Sequence, residues 1–461
     1  MTEVGRRSLL RAPLALGLLS SPALAQGRPR PPMPFDGPWV GSWTASAHGP
    51  YPSGNPSAQP DQSFAFPNPA EGARDQTLRL MVRPDFWGAA VRLRFSNAFG
   101  TRPVTIDGVH VGLQTMGGNV MRGANRPVTF GGGGAVTIPP GETAWSDPVM
   151  LPFAIRPGDP RHEGRRLAVS LHLPGPTGPM TWHAKALTTS YVTPPGAGSK
   201  GAEETDTAFP FTTASWFFLD MVEMRGSPGT PVVVCFGDSI TDGTNTTMNG
   251  DDRWPDDLSR RLHARFGTRL SVVNAGIGGN RVQSPAEYTP QNPIPGGPSA
   301  LSRLERDVLQ VSGVRTVIWM EGINDLGSAD ATAEQVIAGL TEGVRRMHGK
   351  GLRVVGATLT TALGYNGGHG TPEVDARRRA VNDWIRRPGS FDAVADFDAV
   401  TIDNATGRLK PEFIPNSTVG GAGDMLHPNR AGLMAMAASV PIDALGIEPP
   451  MPSPPPSPRR R

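Results

Sequence analysis

Apolar and polar residues alternate along several short stretches in the first half of the chain. Apolar side chains occupy every second position of residues 78–82, 91–95 and 167–173, and clusters of Gly, Pro and Asn separate these stretches. A period of two residues is typical of strands that bury one face. We therefore predict an antiparallel β-sandwich domain with half-buried strands over residues 35–225.

The pattern changes after residue 230, where short runs are apolar at every position. Such runs are typical of strands buried on both faces of a parallel sheet. The predicted strands are 232–236, 270–273, 316–320, 354–357 and 393–397, and the predicted helices between them are 255–266, 333–347 and 374–385. This alternation predicts an α/β domain with a doubly wound parallel sheet over residues 230–447. The Gly- and Pro-rich segment 225–231 is the predicted linker between the two domains.

The two ends of the chain differ in composition from the body between them. Arg6 and Arg7 precede a short apolar stretch, and small residues follow at 23–25, so residues 1–25 are predicted to be a secretory signal peptide. The arginine pair favours the twin-arginine route, although the general export route stays open. Residues 448–461 are rich in Pro and Ser and end in three arginines, which predicts a disordered tail. We therefore expect a secreted or periplasmic protein.

Charge and composition limit the partners that this chain can have. The formal net charge of +3 comes from the arginines at the two ends, so the body has no basic face for a nucleic acid. No apolar run reaches the roughly 18 residues of a membrane span. The single cysteine, Cys235, excludes an intramolecular disulfide and a multi-cysteine metal site, and we expect it to be a buried, inert strand residue. Nothing in the composition indicates an oligomeric state.

Four polar segments follow predicted strands or precede the last helix. They are Gly237-Asp238-Ser239, Asn274-Ala275-Gly276-Ile277-Gly278-Gly279-Asn280, Asn324-Asp325 and Asp424-Met425-Leu426-His427. Ligands of such sheets bind at the carboxyl ends of the strands, so we expect these segments to lie together. Ester hydrolysis needs a nucleophile, a base and donors for the oxyanion, and these residue types supply all three. Each segment also has a purely structural interpretation as a turn or helix cap.

Together the four segments resemble the blocks of the GDSL, or SGNH, hydrolase family, which carry Ser, Gly, Asn and His in this order. The resemblance covers about residues 230–445 and implies a flavodoxin-like doubly wound sheet. The domain in front of it is similar, more loosely, to that of secreted bacterial members grouped with acetylxylan esterases and arylesterases. No cofactor is implied.

The resemblance also implies a role for each matching residue. Ser239 is the implied nucleophile, His427 its general base, Asp424 the carboxylate that orients the imidazole, and the oxyanion donors are the Ser239 N–H, the Gly279 N–H and the Asn324 amide. Gly278 stays open as an alternative to Gly279, and Asp424 as a cap of the last helix.

Other chemistry is weighed against these roles. Asp238 and Asp242 flank the serine and could form a metal pair, but capping of local N–H groups is favoured. No His-x-x-x-His pair with Glu between is present, which disfavours a zinc hydrolase. The loop from Gln283 to Ser302, with Tyr288, either borders the substrate cleft or packs on the surface.

Aromatic residues of the first domain leave a second function open. Trp39, Trp43, Trp87 and Trp182 are expected to pack in the core, with sugar binding as the alternative. The leading interpretation is a secreted serine esterase that removes short acyl groups, acetyl above all, from small esters or acetylated plant polysaccharides. A lipase or arylesterase, or a carbohydrate-binding protein with a secondary hydrolase domain, stays open.

Overall fold

A computed structural model describes residues 37–154 and 156–448 of the chain. The predicted signal peptide at 1–25 and nearly all of the predicted tail lie outside the described residues. Within the described ranges, no helix is long and apolar enough to cross a membrane.

Antiparallel sheets make up most of the β region, a name we use for residues 37–225. Its strands are β1 (Trp39–Thr44), β2 (Gln76–Val82), β3 (Ala90–Ser96), β4 (Val104–Leu113), β5 (Arg126–Pro127), β6 (Ala135–Ile138), β7 (Thr143–Trp145), β8 (Val149–Met150), β9 (Leu167–Leu173), β10 (Trp182–His183), β11 (Ser190–Val192), β12 (Phe211–Thr213), β13 (Trp216–Phe217) and β14 (Leu219–Arg225). One sheet has the order β1-β14-β3-β7, with β8 also paired to β3. A second has the order β12-β11-β2-β9-β4-β5, with β6 also paired to β4, and β10 pairs with β13. The predicted strands 78–82, 91–95 and 167–173 lie within β2, β3 and β9.

The predicted half-burial of these strands is wrong for β2 and β9, which are buried at every position. Arg79 points away from the hydrophobic core, yet its side chain is fully buried. Its guanidinium donates to the carbonyls of Gly118, at 2.8 Å, and Thr205, at 3.0 Å, and lies over the ring of Phe209. Long loops therefore cover the outer face of this sheet, which a two-residue period cannot reveal.

A parallel sheet follows the linker. Its strands are β15 (Val232–Gly237), β16 (Ser271–Gly276), β17 (Val314–Met320), β18 (Arg353–Ala357) and β19 (Ala393–Ala395), in the order β16-β15-β17-β18-β19. Every pairing in this sheet is parallel. Cys235 is buried in the central part of β15, as predicted. The predicted order of antiparallel sheets followed by a parallel sheet is confirmed, whereas the sandwich and doubly wound arrangements stay predictions.

Helices connect the parallel strands. They are α1 (Ser239–Asp242), α2 (Trp254–Phe266), α3 (Ala300–Leu304), α4 (Ile323–Ser328), α5 (Ala333–His348), α6 (Pro372–Ile385), α7 (Phe397–Thr401) and α8 (Arg430–Ser439). Capping residues explain where several begin: Thr332 and Thr371 each accept a backbone N–H of the first turn of α5 and α6. The strand predicted at 393–397 ends earlier, at Ala395, because Asp396 caps α7 through the N–H of Ala399.

Hydrophobic side chains of both regions belong to one continuous core. Trp43, Trp87 and Trp182 are buried, which confirms their predicted packing role, and Trp39 lies against the guanidinium groups of Arg92 and Arg225. The division into two domains at 225–231 stays a prediction.

Candidate active site

Ser239 lies at the carboxyl end of β15, where the chain turns directly into α1. The carboxylate of Asp238 accepts the N–H of Ile240 at 3.0 Å and so caps this short helix. Ser239 is 6% exposed, and its N–H belongs to the first turn of the helix, where no intrahelical acceptor exists. The turn therefore presents a hydroxyl and a free N–H on the same residue.

His427 and Asp424 lie beside this hydroxyl. Nε2 of His427 is 2.8 Å from Oγ of Ser239, and Nδ1 is 2.6 Å from Oδ2 of Asp424. The other carboxylate oxygen of Asp424 accepts the N–H groups of Leu426 and His427. Burial alone would raise the pKa of Asp424, but these hydrogen bonds and the nearby imidazole hold it at about 2. The carboxylate is thus ionised wherever the protein is folded at ordinary pH.

The helix after His427 has its own cap. The side chain of Asn429 accepts the N–H groups of Ala431 and Gly432 at the start of α8. Asp424 is therefore not the cap of this helix, and both of its oxygens are available to the segment that carries His427.

The glycine turn after β16 presents one N–H group without an internal partner. The N–H of Gly278 donates to Oδ2 of Asp242 at 2.8 Å. The N–H of Gly279 has no acceptor among the described residues. Gly279 has a φ of +83°, a backbone conformation that favours glycine. Of the two glycines, Gly279 is the one that can donate to a ligand.

Asn324 lies next to this turn, near the start of α4. Its Nδ2 donates to the carbonyl of Asn280 at 3.0 Å, which leaves the second amide hydrogen available. Oδ1 of Asn324 is 3.0 Å from Nε2 of His369. The amide is therefore fixed at both ends and directs a hydrogen-bond donor beside the glycine turn.

Residues 235–434 match the family model described as the GDSL-like lipase/acylhydrolase family. The chain carries a GDSL-like lipase/acylhydrolase domain. We call this segment the GDSL domain, and the protein is an ester hydrolase. No curated protein sequence matches the chain at a significant level.

Several solved structures are similar to the GDSL domain. A lipolytic G-D-S-L protein from Veillonella parvula is 19% identical, with 46% of this chain and 96% of that chain covered and a TM-score of 0.34. A GDSL-like lipase from Bacteroides thetaiotaomicron is 14% identical, with 46% and 87% covered and a TM-score of 0.34. A catalytic mutant of an acetylxylan esterase from Geobacillus stearothermophilus is 21% identical, with 48% and 96% covered and a TM-score of 0.34.

Two side chains that the sequence analysis did not assign to the site support the GDSL domain from the β region. Nε2 of His183 is 3.1 Å from Oδ1 of Asp242, the carboxylate that also binds the Gly278 N–H. Lys185 is buried beside Gly278, and burial lowers the pKa of its ammonium group. Asp242 is therefore held by His183, a residue almost sixty positions earlier in the chain, at a separation for which a single sequence carries no signal.

Asp238 and Asp242 do not share a ligand position. The two carboxylates make separate hydrogen bonds, to Ile240 and to Gly278 and His183. Residues 37–154 and 156–448 contain no group of three or more His, Cys, Asp or Glu side chains that could hold a metal ion.

Buried acidic groups lie near the turn that carries Ser239. Burial raises the pKa of Asp238 to about 7 and that of Glu321, at the end of β17, to about 8. Arg303 is fully buried between the strand ends, and it donates to the carbonyls of Gly237 at 2.9 Å and Ala275 at 2.7 Å. This guanidinium ties together the two strands from which the serine and glycine turns extend.

The loop from Gln283 to Ser302 packs against the β region. The hydroxyl of Tyr288 donates to the carbonyl of Gly49, and its ring makes an edge contact with Phe99. Burial raises the pKa of Tyr288 to about 12. Gly296 of the same loop lies against Gly279, so the loop is both packed and adjacent to the glycine turn.

Proposed function

We propose that this protein is a serine esterase that hydrolyses short-chain acyl esters, acetyl esters above all, with Ser239 as the nucleophile. The observation that carries the proposal is the 2.8 Å contact between Oγ of Ser239 and Nε2 of His427. A serine hydroxyl becomes a useful nucleophile when a base accepts its proton during attack. The 2.6 Å contact of Asp424 with Nδ1 supports the tautomer in which Nε2 is that base.

The reaction follows from these contacts in two steps. Oγ of Ser239 attacks the ester carbonyl carbon while its proton passes to Nε2 of His427, and the C–O bond to the alcohol breaks as His427 returns the proton to the leaving oxygen. A water molecule then attacks the acyl-serine, again losing its proton to His427, and the carboxylic acid leaves as Ser239 regains a proton. The N–H groups of Ser239 and Gly279 and the Asn324 amide stabilise the negative carbonyl oxygen in both steps.

Polar side chains around the glycine turn support a short acyl group. Asn55 donates to the carbonyl of Gly278, Lys185 lies beside the same glycine, and Thr244 follows the nucleophile helix. A long acyl chain gains affinity from apolar contacts, at about 0.8 kcal/mol per buried CH₂, which these side chains do not provide. Polar surroundings suit a hydroxyl-rich alcohol better than a lipid, and we propose acetylated polysaccharide as the natural substrate class.

The nucleophile and the base are tested by substitution. Hydrolysis of p-nitrophenyl acetate is expected to fall by several orders of magnitude in Ser239→Ala and in His427→Ala. Ser63→Ala and His348→Ala, which change exposed residues away from the site, serve as controls and are expected to keep wild-type rates. A fluorophosphonate probe should label wild-type Ser239, which mass spectrometry locates. Retention of most activity by Ser239→Ala would overturn the assignment.

The acyl preference is tested on an ester series. We expect the highest kcat/KM on p-nitrophenyl acetate, a decline toward decanoate, and release of acetate from acetylated xylan. A maximum at long chains would make the protein a lipase, and activity on aryl esters alone would make it an arylesterase.

We also propose that the protein is exported. The basis is Arg6-Arg7, the apolar stretch behind it and the small residues at 23–25, all outside the described residues. N-terminal sequencing of protein from the medium or periplasm should find cleavage after residue 25. Recovery of the protein only from the cytoplasm, with its N-terminus uncleaved, would contradict export.

A further inference from the structure

The peptide bond between Gly278 and Gly279 is held from outside the GDSL domain. Nδ2 of Asn55, a residue of the β region, donates to the carbonyl oxygen of Gly278 at 2.8 Å. The N–H of Gly278, on the other side of its Cα, donates to Asp242 at 2.8 Å. Asp242 is in turn bound by His183. The β region therefore holds the carbonyl of Gly278 directly, through Asn55, and its N–H indirectly, through His183 and Asp242.

The hydrogen bond from Asn55 determines where the next N–H points. A trans peptide is planar, so the carbonyl of Gly278 and the N–H of Gly279 belong to one rigid plane and point in opposite directions. When Asn55 draws the carbonyl toward itself, the N–H of Gly279 faces the other way. That N–H has no acceptor among the described residues, as expected of a donor that is kept for a ligand.

This peptide needs an anchor because glycines flank it on both sides. Gly populates positive and negative φ with similar ease, so a Gly-Gly peptide rotates at low cost. Close packing by Asn55 restricts that rotation. A Cβ built on Gly279 would lie 2.6 Å from Nδ2 of Asn55, and one on Gly278 would lie 3.2 Å from Cβ of Asn55.

The loop that carries Asn55 is itself well anchored. The indole N–H of Trp182 donates to the carbonyl of Ser53 at 3.0 Å, and the hydroxyl of Tyr288 donates to the carbonyl of Gly49. A Cβ on Gly54 would be 2.8 Å from both Ala184 and Trp182, so the loop lies directly on the β region. Asn55 is exposed apart from its contacts with the glycine turn, so its replacement removes little buried surface.

We propose that Asn55 is a positioning residue that aims the Gly279 N–H at the oxyanion, a role that rests on the proposed esterase function. The β region then completes the catalytic apparatus of the GDSL domain. Loss of a single oxyanion donor costs about 10²–10³ in turnover. Loss of its anchor leaves the donor present but poorly aimed, so the expected effect is roughly 10- to 100-fold.

The kinetic test uses the full chain with substitutions at position 55. Asn55→Leu and Asn55→Asp, neither of which can donate to the Gly278 carbonyl, should lower kcat for p-nitrophenyl acetate roughly 10- to 100-fold. KM should stay within about twofold, because the oxyanion forms only after binding. Asn55→Gln, which keeps an amide donor, should recover part of the loss. Asn68→Asp, an exposed asparagine of the same region, is the matched control, and the melting temperature of each variant checks that it folds.

Two kinetic outcomes would overturn the proposal. One is a kcat within twofold of wild type in Asn55→Leu. The other is a raised KM with unchanged kcat, which would make Asn55 a ground-state substrate contact.

A structural measurement separates this proposal from the proposed function. If the wild-type chain hydrolyses no ester, the proposed esterase function is wrong. The orientation of the peptide between Gly278 and Gly279 can still be compared in crystal structures of wild type and Asn55→Leu. We expect the Gly278 carbonyl to rotate in the variant, and the same orientation in both structures would refute the positioning role.

Discussion

Asp424 shows how one carboxylate acts on both the backbone and the side chain of the same residue. Its Oδ1 accepts the N–H of His427 at 2.9 Å, while Oδ2 lies 2.6 Å from Nδ1 of the ring. The first contact fixes where the residue sits in the loop, and the second fixes the orientation and tautomer of the imidazole. Because the pKa of Asp424 is about 2, its carboxylate stays ionised and keeps both contacts as the pH falls through the mildly acidic range.

Replacement of the Asp424 carboxylate by an amide should lower kcat without lowering the melting temperature. In Asp424→Asn the amide oxygen can still accept the backbone N–H groups, so we expect little change in melting temperature. The amide cannot stabilise the imidazolium, so kcat should fall by roughly 10²–10⁴. Asp403→Asn, which changes an aspartate in a comparable exposed turn, is the control. A kcat within threefold of wild type in Asp424→Asn would show that His427 acts without it.

At the scale of elements, the cap of α8 directly follows the segment that carries Asp424 and His427. Asn429 caps the helix, two residues after His427, and Nδ2 of Asn429 also donates to the carbonyl of Glu412 at 3.0 Å. Because Asn429 caps α8 and Asp424 binds only the segment before it, the start of the helix does not depend on the Asp424 carboxylate.

Asn429→Ala should therefore act on stability rather than on chemistry. Loss of a side-chain cap costs about 1 kcal/mol in typical helices. For a chain of this size we expect a melting temperature lower by a few degrees, measured by calorimetry, with kcat at pH 7 within about threefold of wild type. A kcat loss as large as that of Asp424→Asn would instead show that the cap positions His427.

The sequence predicted the parts of the site that lie close together along the chain. Asp424 and His427 are three residues apart, and Ser239 follows its strand directly, so local motifs and strand ends were enough to propose them. The choice between Gly278 and Gly279 depends on Asp242, a contact between separate segments that spacing does not reveal. Asn55 lies more than two hundred residues before Gly278, and nothing in its neighbourhood indicates a role.

The same distinction holds for the fold. Runs such as 232–236 were predicted because burial on both faces makes every position apolar. The burial of Arg79 was missed because distant loops supply the carbonyls that make a buried guanidinium tolerable. The end of β19 was missed because a single cap, Asp396, competes with strand propensity.

At the scale of the whole molecule, charged side chains join the β region to the GDSL domain. His263 of α2 lies between two carboxylates of the β region, with Nε2 3.4 Å from Asp85 and Nδ1 3.0 Å from Glu163. Burial alone would lower the pKa of His263, but the two carboxylates raise it to about 9. The imidazolium is thus the form that holds the regions together at neutral pH.

This contact predicts a loss of stability at alkaline pH. A histidine with a raised pKa contributes its stabilisation fully below its unfolded value of about 6.5, and that contribution disappears as pH rises through about 9. The contribution of His263 to the free energy of unfolding, measured with urea, should therefore fall by roughly 3 kcal/mol between pH 6.5 and 9.5. His263→Gln should make this slope clearly smaller, and the buried Asp238 and Glu321 account for the part that stays. His348→Gln, at an exposed histidine, should keep the wild-type slope. Equal slopes in wild type and His263→Gln would contradict the assignment.

The position of β16 at the edge of the parallel sheet has a consequence for solubility. Two of its backbone groups bond side chains of the β region: the Val272 N–H donates to Asp85 at 2.6 Å, and the Asn274 carbonyl accepts the Thr44 hydroxyl at 2.7 Å. An uncovered strand edge is a template for pairing with another chain. The β region thus shields a surface along which separate molecules would otherwise aggregate, and a catalytic fragment cut at the linker would lose that protection.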